Sequence, residues 1–210
     1  FANLKARLMP YLYRNAVETS RTGVPMMRSM VLEFTEDKNC AYLASQYMLG
    51  DSLLVAPIFN EEGMAEYYLP EGRWMSLIDG EEKEGGRWYR EKHGYLSIPL
   101  FVREGSIIAM GEHDDGPVYG YDDGTTLQVY ALADGAEAST CIYDTENVKA
   151  VTVSVKRRGN RYEAVVSGGR NLKVALMNTG EPKTADCAYE MDGRNVVLAV
   201  PESGKLAVEF

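Results

Sequence analysis

The sequence predicts a mainly β chain that opens with a short helical, α/β-like stretch. Three observations carry this. Apolar residues recur at helical spacing only in the first fifty residues. A nearly continuous apolar run, residues 26–32, lies between two helical patterns. From Asp51 onward the chain breaks into short β-rich runs separated by Gly, Pro and Asp turn signals.

Leu4, Leu8, Leu12 and Ala16 recur every fourth position, with Lys5, Arg7, Arg14 and Glu18 on other faces, which predicts an amphipathic helix. Pro10 either kinks it or marks the first turn of a helix that starts there. Gly23 is a stop, and Val24-Pro25 forces extension. The run at 26–32 (Met-Met-Arg-Ser-Met-Val-Leu) reads as a strand buried on both faces, as in a parallel sheet. Thr35, Glu36 and Asp37 supply capping oxygens and N-terminal charge. Cys40, Leu43, Ala44, Tyr47 and Met48 fall on one face of a second helix, which Gly50 ends; residues 53–58 then read as a strand closed by Pro57.

Beyond Asp51 the predicted strands are 67–69, 74–78, 95–98, 100–102 and 107–110, with turns at Pro70-Glu71-Gly72, Asp79-Gly80, Gly85-Gly86 and Glu104-Gly105. The polar, glycine-rich stretch 111–124 marks a domain boundary. A second β series follows at 127–131, 151–155, 164–166, 172–177, 196–200 and 206–210, with Arg158-Gly159-Asn160 as a hairpin tip. It predicts seven or eight strands, enough for a small sandwich.

At 210 residues the chain can bury a sizeable core. Its net charge of −9 repels phosphate backbones, so nucleic acid is not an expected partner. No apolar run approaches the roughly 18 residues that span a bilayer, so no membrane partner is expected either. Cys40, Cys141 and Cys187 are far apart, and the chain has two histidines; this spacing predicts thiols in a reducing, cytoplasmic compartment rather than a metal site.

Six blocks stand in order: Leu8-Met9-Pro10-Tyr11-Leu12-Tyr13-Arg14, Gly23-Val24-Pro25-Met26-Met27-Arg28, Gln46-Tyr47-Met48-Leu49-Gly50-Asp51, Leu54-Val55-Ala56-Pro57, Tyr68-Leu69-Pro70-Glu71-Gly72-Arg73-Trp74 and Val102-Arg103-Glu104-Gly105-Ser106-Ile107-Ile108. Together they resemble the C-terminal portion of glycoside hydrolase family 31, with the nearest likeness to its bacterial α-xylosidases. The resemblance is dense from Leu4 to about Met110 and rests on strand count beyond it. It implies a (β/α)8 barrel followed by two C-terminal antiparallel β-sandwich domains. Because a barrel of this kind needs roughly 250 residues, only its last helix-strand-helix fits in residues 1–50. Residues 51–112 would then be the proximal sandwich and 117–210 the distal one.

The resemblance also implies a retaining α-glycosidase acting on terminal α-xylosyl or α-glucosyl residues through two carboxyls roughly 5 Å apart. In the family both aspartates come from barrel strands upstream of the matched segment, so no catalytic residue is assigned here. The oligosaccharide substrate would bind the missing barrel, and the chain alone is expected to be inactive. The sandwiches would brace the barrel, with contacts in a homo-oligomer as a further role. No cofactor or metal is implied.

Asp79-Gly80-Glu81-Glu82 mimics a nucleophile pattern but reads as a solvated turn. His93 and His113 lack a nucleophile elbow. Gly120-Tyr121-Asp122-Asp123-Gly124 echoes a calcium loop without its alternating ligands. Arg28, on the expected last barrel strand, is the one substrate-proximal candidate. In an apolar run it must find a carboxylate or carbonyl partner, either as a structural pair or in shaping the sugar site; Glu33 is equally open. Trp74, Trp88, Tyr67, Tyr68, Tyr89 and Tyr95 read either as core filling or as a sugar-stacking platform. The platform would make the chain a non-catalytic carbohydrate-binding β-sandwich module, the alternative function. Without its barrel the chain should expose Tyr11, Leu12, Tyr47 and residues 26–32, and so self-associate, rearrange or lose order in residues 1–35.

Overall fold

A computed structural model describes all residues from Phe1 to Phe210. Two helices open the chain, α1 (Ala2–Arg7) and α2 (Met9–Thr22). They separate at Leu8, so Pro10 lies in the first turn of a new helix, where its missing N–H costs least. That missing donor would have served the Ala6 carbonyl, which instead accepts from the Tyr119 hydroxyl at 2.8 Å. The Arg7 carbonyl accepts from the Gly111 N–H at 2.7 Å. A Cβ on Gly111 would sit 2.0 Å from the Tyr119 oxygen, so only glycine permits this approach. The expected every-fourth stripe is only partly buried: Leu8 is inside, but Ala16 is exposed, and Tyr11, Asn15 and Val17 carry the buried face. The Asn15 amide is satisfied within the helix by the Tyr11 carbonyl at 2.9 Å.

The chain divides into two units, Phe1–Val17 with Gly105–Phe210, and Glu18–Glu104. In the second of these, β1 (Met27–Ser29) leads into a single helical turn, α3 (Met30–Glu33). Then come β2 (Tyr47–Leu49), β3 (Leu53–Val55), β4 (Met64–Leu69), β5 (Arg73–Ser76), β6 (Glu82–Glu84), β7 (Arg87–Lys92) and β8 (Leu100–Arg103). One six-stranded sheet, in the order β1-β2-β3-β8-β5-β6, pairs antiparallel throughout, and β4 with β7 forms a separate two-stranded ladder. Between them lies a core of Met30, Met48, Leu54, Tyr67, Tyr68, Trp74 and Phe101.

Three expectations are corrected here. Residues 26–32 do not form a strand buried on both faces in a parallel sheet. Only three of them are extended, they pair antiparallel with β2, and Met27 is 60% exposed. The expected helix over 40–49 is instead a 3-10 turn at Lys38–Cys40 followed by β2. Its apolar spacing fits a helix, but Gly50 (φ +68°) and Asp51 are the tip of the β2–β3 hairpin, where Leu49 faces Leu53. Turn chemistry outweighed periodicity. Residues 95–98 are a turn, not a strand.

The other unit carries β9 (Ile107–Met110), β10 (Thr126–Val129), β11 (Glu137–Tyr143), β12 (Lys149–Arg158), β13 (Arg161–Gly168), β14 (Lys173–Leu176), β15 (Thr184–Ala185), β16 (Tyr189–Asp192), β17 (Asn195–Ala199) and β18 (Lys205–Glu209). They form two five-stranded sheets, β16-β17-β14-β10-β9 and β11-β12-β13-β18-β15. Alternation fills the space between them: Val151, Val153 and Val155 face Leu127, Val174 and Leu198 in one core. Met9 and Tyr13 of α2 pack on this core, and Tyr13 lies 5.5 Å from the Tyr121 ring. Tyr11 is 1% exposed. Tyr11 is therefore buried, contrary to the exposed patch expected of it, and Met9 and Tyr13 are covered by the chain's own sandwich.

The hairpin β12–β13 turns through Gly159 (φ +58°) and Asn160, with Arg158 opposite Arg161. The sandwich is not wholly antiparallel, because β10 and β14 run parallel. Strand β9, read with the first β series, pairs with β10, and the compact unit that holds both resumes at Gly105.

Leu127, fully buried between the two sheets, should be costly to truncate. Leu127→Ala is expected to destabilise this unit by about 2–5 kcal/mol. Because both tryptophans lie in the other unit, the loss should appear in the calorimetric or far-UV transition and not in tryptophan fluorescence.

Candidate functional site

Arg28 lies on β1 with its side chain 16% exposed. Its Nη1 donates to Glu33 Oε2 at 3.0 Å, and its Nε donates to the Pro25 carbonyl at 3.2 Å. The single turn α3 brings Glu33 back under it. Arg103, at the end of β8, donates to the other Glu33 oxygen at 3.3 Å and lies 5.0 Å over the Phe34 ring. One carboxylate thus clamps two guanidinium groups from opposite ends of the six-stranded sheet's sequence. Both Glu33 oxygens are committed, which removes it as a free nucleophile or acid.

Beside the clamp is a cleft of about 660 Å³, lined among others by Glu33, Phe34, Asp37, Tyr68, Glu71 and Arg103. Asp37 is also engaged at both oxygens: Oδ1 accepts from the Asn39 N–H at 3.0 Å and Oδ2 from the Tyr68 hydroxyl at 2.8 Å. Burial, with the Asp37 charge adding to it, pushes the Cys40 thiol up to about 11, so it is an inert packing group.

Gln46, 2% exposed, makes a tie that the sequence did not reveal. Its Oε1 accepts from the Tyr68 N–H at 2.8 Å and its Nε2 donates to the Tyr68 carbonyl at 2.7 Å. The side-chain amide pairs with β4 as another strand would.

A second network surrounds Lys83, whose side chain is 6% exposed. Its Nζ donates to Glu91 Oε1 and lies 3.3 Å from Glu81 Oε2, while the Tyr67 hydroxyl donates to Glu91 Oε2 at 2.7 Å. Burial opposes the Glu91 charge, but the bonds from Lys83 and Tyr67 outweigh it and hold the carboxyl below its ordinary value. Burial likewise opposes the Lys83 charge, and the two carboxylates more than restore it. Burial, followed by the Glu91 bond, pushes the Tyr67 hydroxyl up.

The nucleophile mimic is a turn between β5 and β6: the Asp79 carboxylate accepts from the Glu81 N–H at 3.1 Å, and hydrogen bonding with Ser76 lowers it. Asp123, in the calcium-like stretch, pairs with Arg170 at 3.3 Å and accepts from Asn171 at 2.8 Å. No group of three or more His, Cys, Asp or Glu is placed to hold a metal ion. Of the aromatic candidates, Trp74, Tyr67 and Tyr68 are core, and Trp74 Nε1 donates to the Pro70 carbonyl at 2.8 Å. Trp88 is half-exposed beside Tyr68, and Tyr95 is fully exposed. Across the β4–β7 pair Tyr67 stacks on Tyr89 at 5.6 Å and Tyr68 tilts against Trp88 at 5.5 Å, so these rings pack on each other with Tyr67 and Tyr68 buried.

Each of the two β units corresponds to a C-terminal domain of glycoside hydrolases. The glycosyl hydrolase family 31 C-terminal domain matches residues 23–108, and the C-terminal domain of alpha-xylosidase YicI matches residues 120–210. The chain belongs to glycoside hydrolase family 31.

Among its relatives is the alpha-xylosidase XylQ of Lactiplantibacillus pentosus, 37% identical over 161 residues, 75% of this chain and 21% of that protein. The alpha-xylosidase of Emericella nidulans is 38% identical over 197 residues, 85% of this chain and 25% of that protein. The solved structure of the cycloalternan-forming enzyme of Listeria monocytogenes superposes with a TM-score of 0.83 at 26% identity, over 98% of this chain and 22% of that one. The GH31 dextranase of Flavobacterium johnsoniae shares the fold at a TM-score of 0.85 and 23% identity, over 99% of this chain and 32% of that one. The chain spans about a fifth to a quarter of the length of the curated relatives it matches.

The Glu91 network predicts a pH dependence. A carboxyl held below its unfolded value contributes stability that is present above the ordinary 4.5 and lost as pH falls through the folded value. Urea midpoints followed by tryptophan fluorescence should therefore drop on acidification below that value. Glu91→Gln should remove part of this acid-side slope.

Proposed function

We propose that this chain is the C-terminal portion of a retaining, α-xylosidase-like glycosidase that removes terminal α-xylosyl or α-glucosyl residues from oligosaccharides. Its opening helix pair leads in from the upstream barrel, and the two β units are the proximal and distal sandwiches that brace it. Both catalytic carboxyls lie upstream of Phe1. The observation that carries this reading is the tiling of the chain by two C-terminal domain matches in sequence order, the second of them from an α-xylosidase.

The structure adds physical support. Val24, Met27, Val31 and Leu32, on and around β1 and α3, are 41%, 60%, 42% and 49% exposed. A contiguous sequence run this apolar and this open is what a severed domain interface leaves behind. Arg28 is fixed next to that run by Glu33 and the Pro25 carbonyl. We assign it the role of holding the sheet edge against the barrel near the sugar site. The burial of Trp74, Tyr67 and Tyr68 weighs against a freestanding carbohydrate-binding module, because it takes away most of the rings that would stack on sugar.

The purified 210-residue chain should not hydrolyse an aryl α-xyloside above a blank. The full-length protein should hydrolyse it with retention of anomeric configuration. Clear turnover by the 210-residue chain would sink the proposal.

A further inference from the structure

The ladder β4–β7 closes at one end with Met64 opposite Lys92. The loop entering β4 there (56–63) carries Phe59, 81% exposed, and the loop leaving β7 (93–99) carries Tyr95 and Leu96, 102% and 86% exposed. Three large apolar side chains thus project from one end of one ladder.

The loops beneath them are tied down. The Asn60 side chain accepts from the Met64 N–H at 2.8 Å and donates to the Met64 carbonyl at 2.6 Å. The His93 N–H donates to the Gly63 carbonyl at 2.8 Å and joins the two loops. His93 Nδ1 and Ser97 Oγ are 2.8 Å apart, and the Ser97 N–H donates to the Gly94 carbonyl at 3.1 Å, so a short turn presents Tyr95 and Leu96. Ile58 packs into the core behind Phe59.

Asn60, Ser97 and His93 Nδ1 hold the loops in shape, while the apolar side chains face out beside the exposed Glu61 and Glu62. At 81–102% exposure, the three side chains add little to the fold that carries them. Rigid apolar anchors on fixed loops are the form taken by the energetic centre of an interface, because little ordering remains to be done on docking. The occupant follows from chemistry and length. A sugar is held by stacked ring faces, and Leu96, which projects with Tyr95, has no ring face to offer. The curated relatives, by contrast, are four to five times as long as the part this chain matches.

We infer that Phe59, Tyr95 and Leu96 form a docking surface for the upstream catalytic part of the same polypeptide, separate in sequence from the open run 24–32. The inference rests on the reading of this chain as the C-terminal portion of a longer glycosidase.

Hydroxyl-radical footprinting of the full-length protein and of the 210-residue chain tests it. In the full-length protein, labelling of Phe59, Tyr95 and Leu96 should fall by about tenfold, as for side chains moved from solvent into an interface core. The triple variant Phe59→Ser, Tyr95→Ser, Leu96→Ser should lower the Tm of the full-length protein and leave that of the 210-residue chain unchanged. Equal labelling in both proteins overturns the inference, as does protection of the 210-residue chain that grows with its concentration, which would make a second copy the occupant. Protection by added xyloglucan oligosaccharide overturns it in favour of sugar. A full-length protein without glycosidase activity would instead overturn the parent reading, and that outcome is scored separately by the activity assay.

Discussion

The Gln46 side-chain amide holds together the two layers of the unit Glu18–Glu104. It stands just before β2 of the six-stranded sheet, and closes both of its hydrogen bonds on the Tyr68 backbone in the separate β4–β7 ladder. Buried polar groups left unpaired cost about 1–3 kcal/mol each, so this one amide satisfies four groups that would otherwise oppose closure. With Gln46 in place, Met48 and Leu54 meet Tyr67, Tyr68 and Trp74 in a single core. In the same unit Glu33 stands between Arg28 and Arg103.

Each of this unit's well-placed carboxylates has structural work: Glu33 binds two arginines, Asp37 caps a 3-10 turn and receives Tyr68, and Glu91 neutralises a buried lysine. An acid or nucleophile needs an oxygen free to meet the substrate. The aromatic residues tell the same story, since the larger ones fill the core rather than a sugar platform.

Much of the β architecture was legible because its causes are local. Gly159-Asn160 dictates the β12–β13 hairpin, and the alternation of Val151, Val153 and Val155 dictates which face is inside. The need of Arg28 for a carboxylate or carbonyl was also legible, and the structure supplies one of each. What failed depended on distant partners. The helical spacing from Cys40 to Met48 was overridden by the hairpin at Gly50, and the apolar run 26–32 paired with β2 across an intervening segment of sequence. Strand β16 is exposed at every position and so carries no alternation to read. The Gln46 tie was invisible because a glutamine before an apolar run gives no sign of being buried.

The central claim, that an enzyme's chemistry is served by this region while its carboxyls lie upstream, is tested most directly by covalent trapping. A 5-fluoro-α-xylosyl fluoride, whose ring fluorine slows hydrolysis of the covalent intermediate, should accumulate a glycosyl-enzyme ester on the full-length protein, and peptide mass mapping locates the modified residue. The account predicts a single aspartate N-terminal to Phe1 and no label anywhere in residues 1–210. A stoichiometric label on any carboxylate within this chain would contradict it.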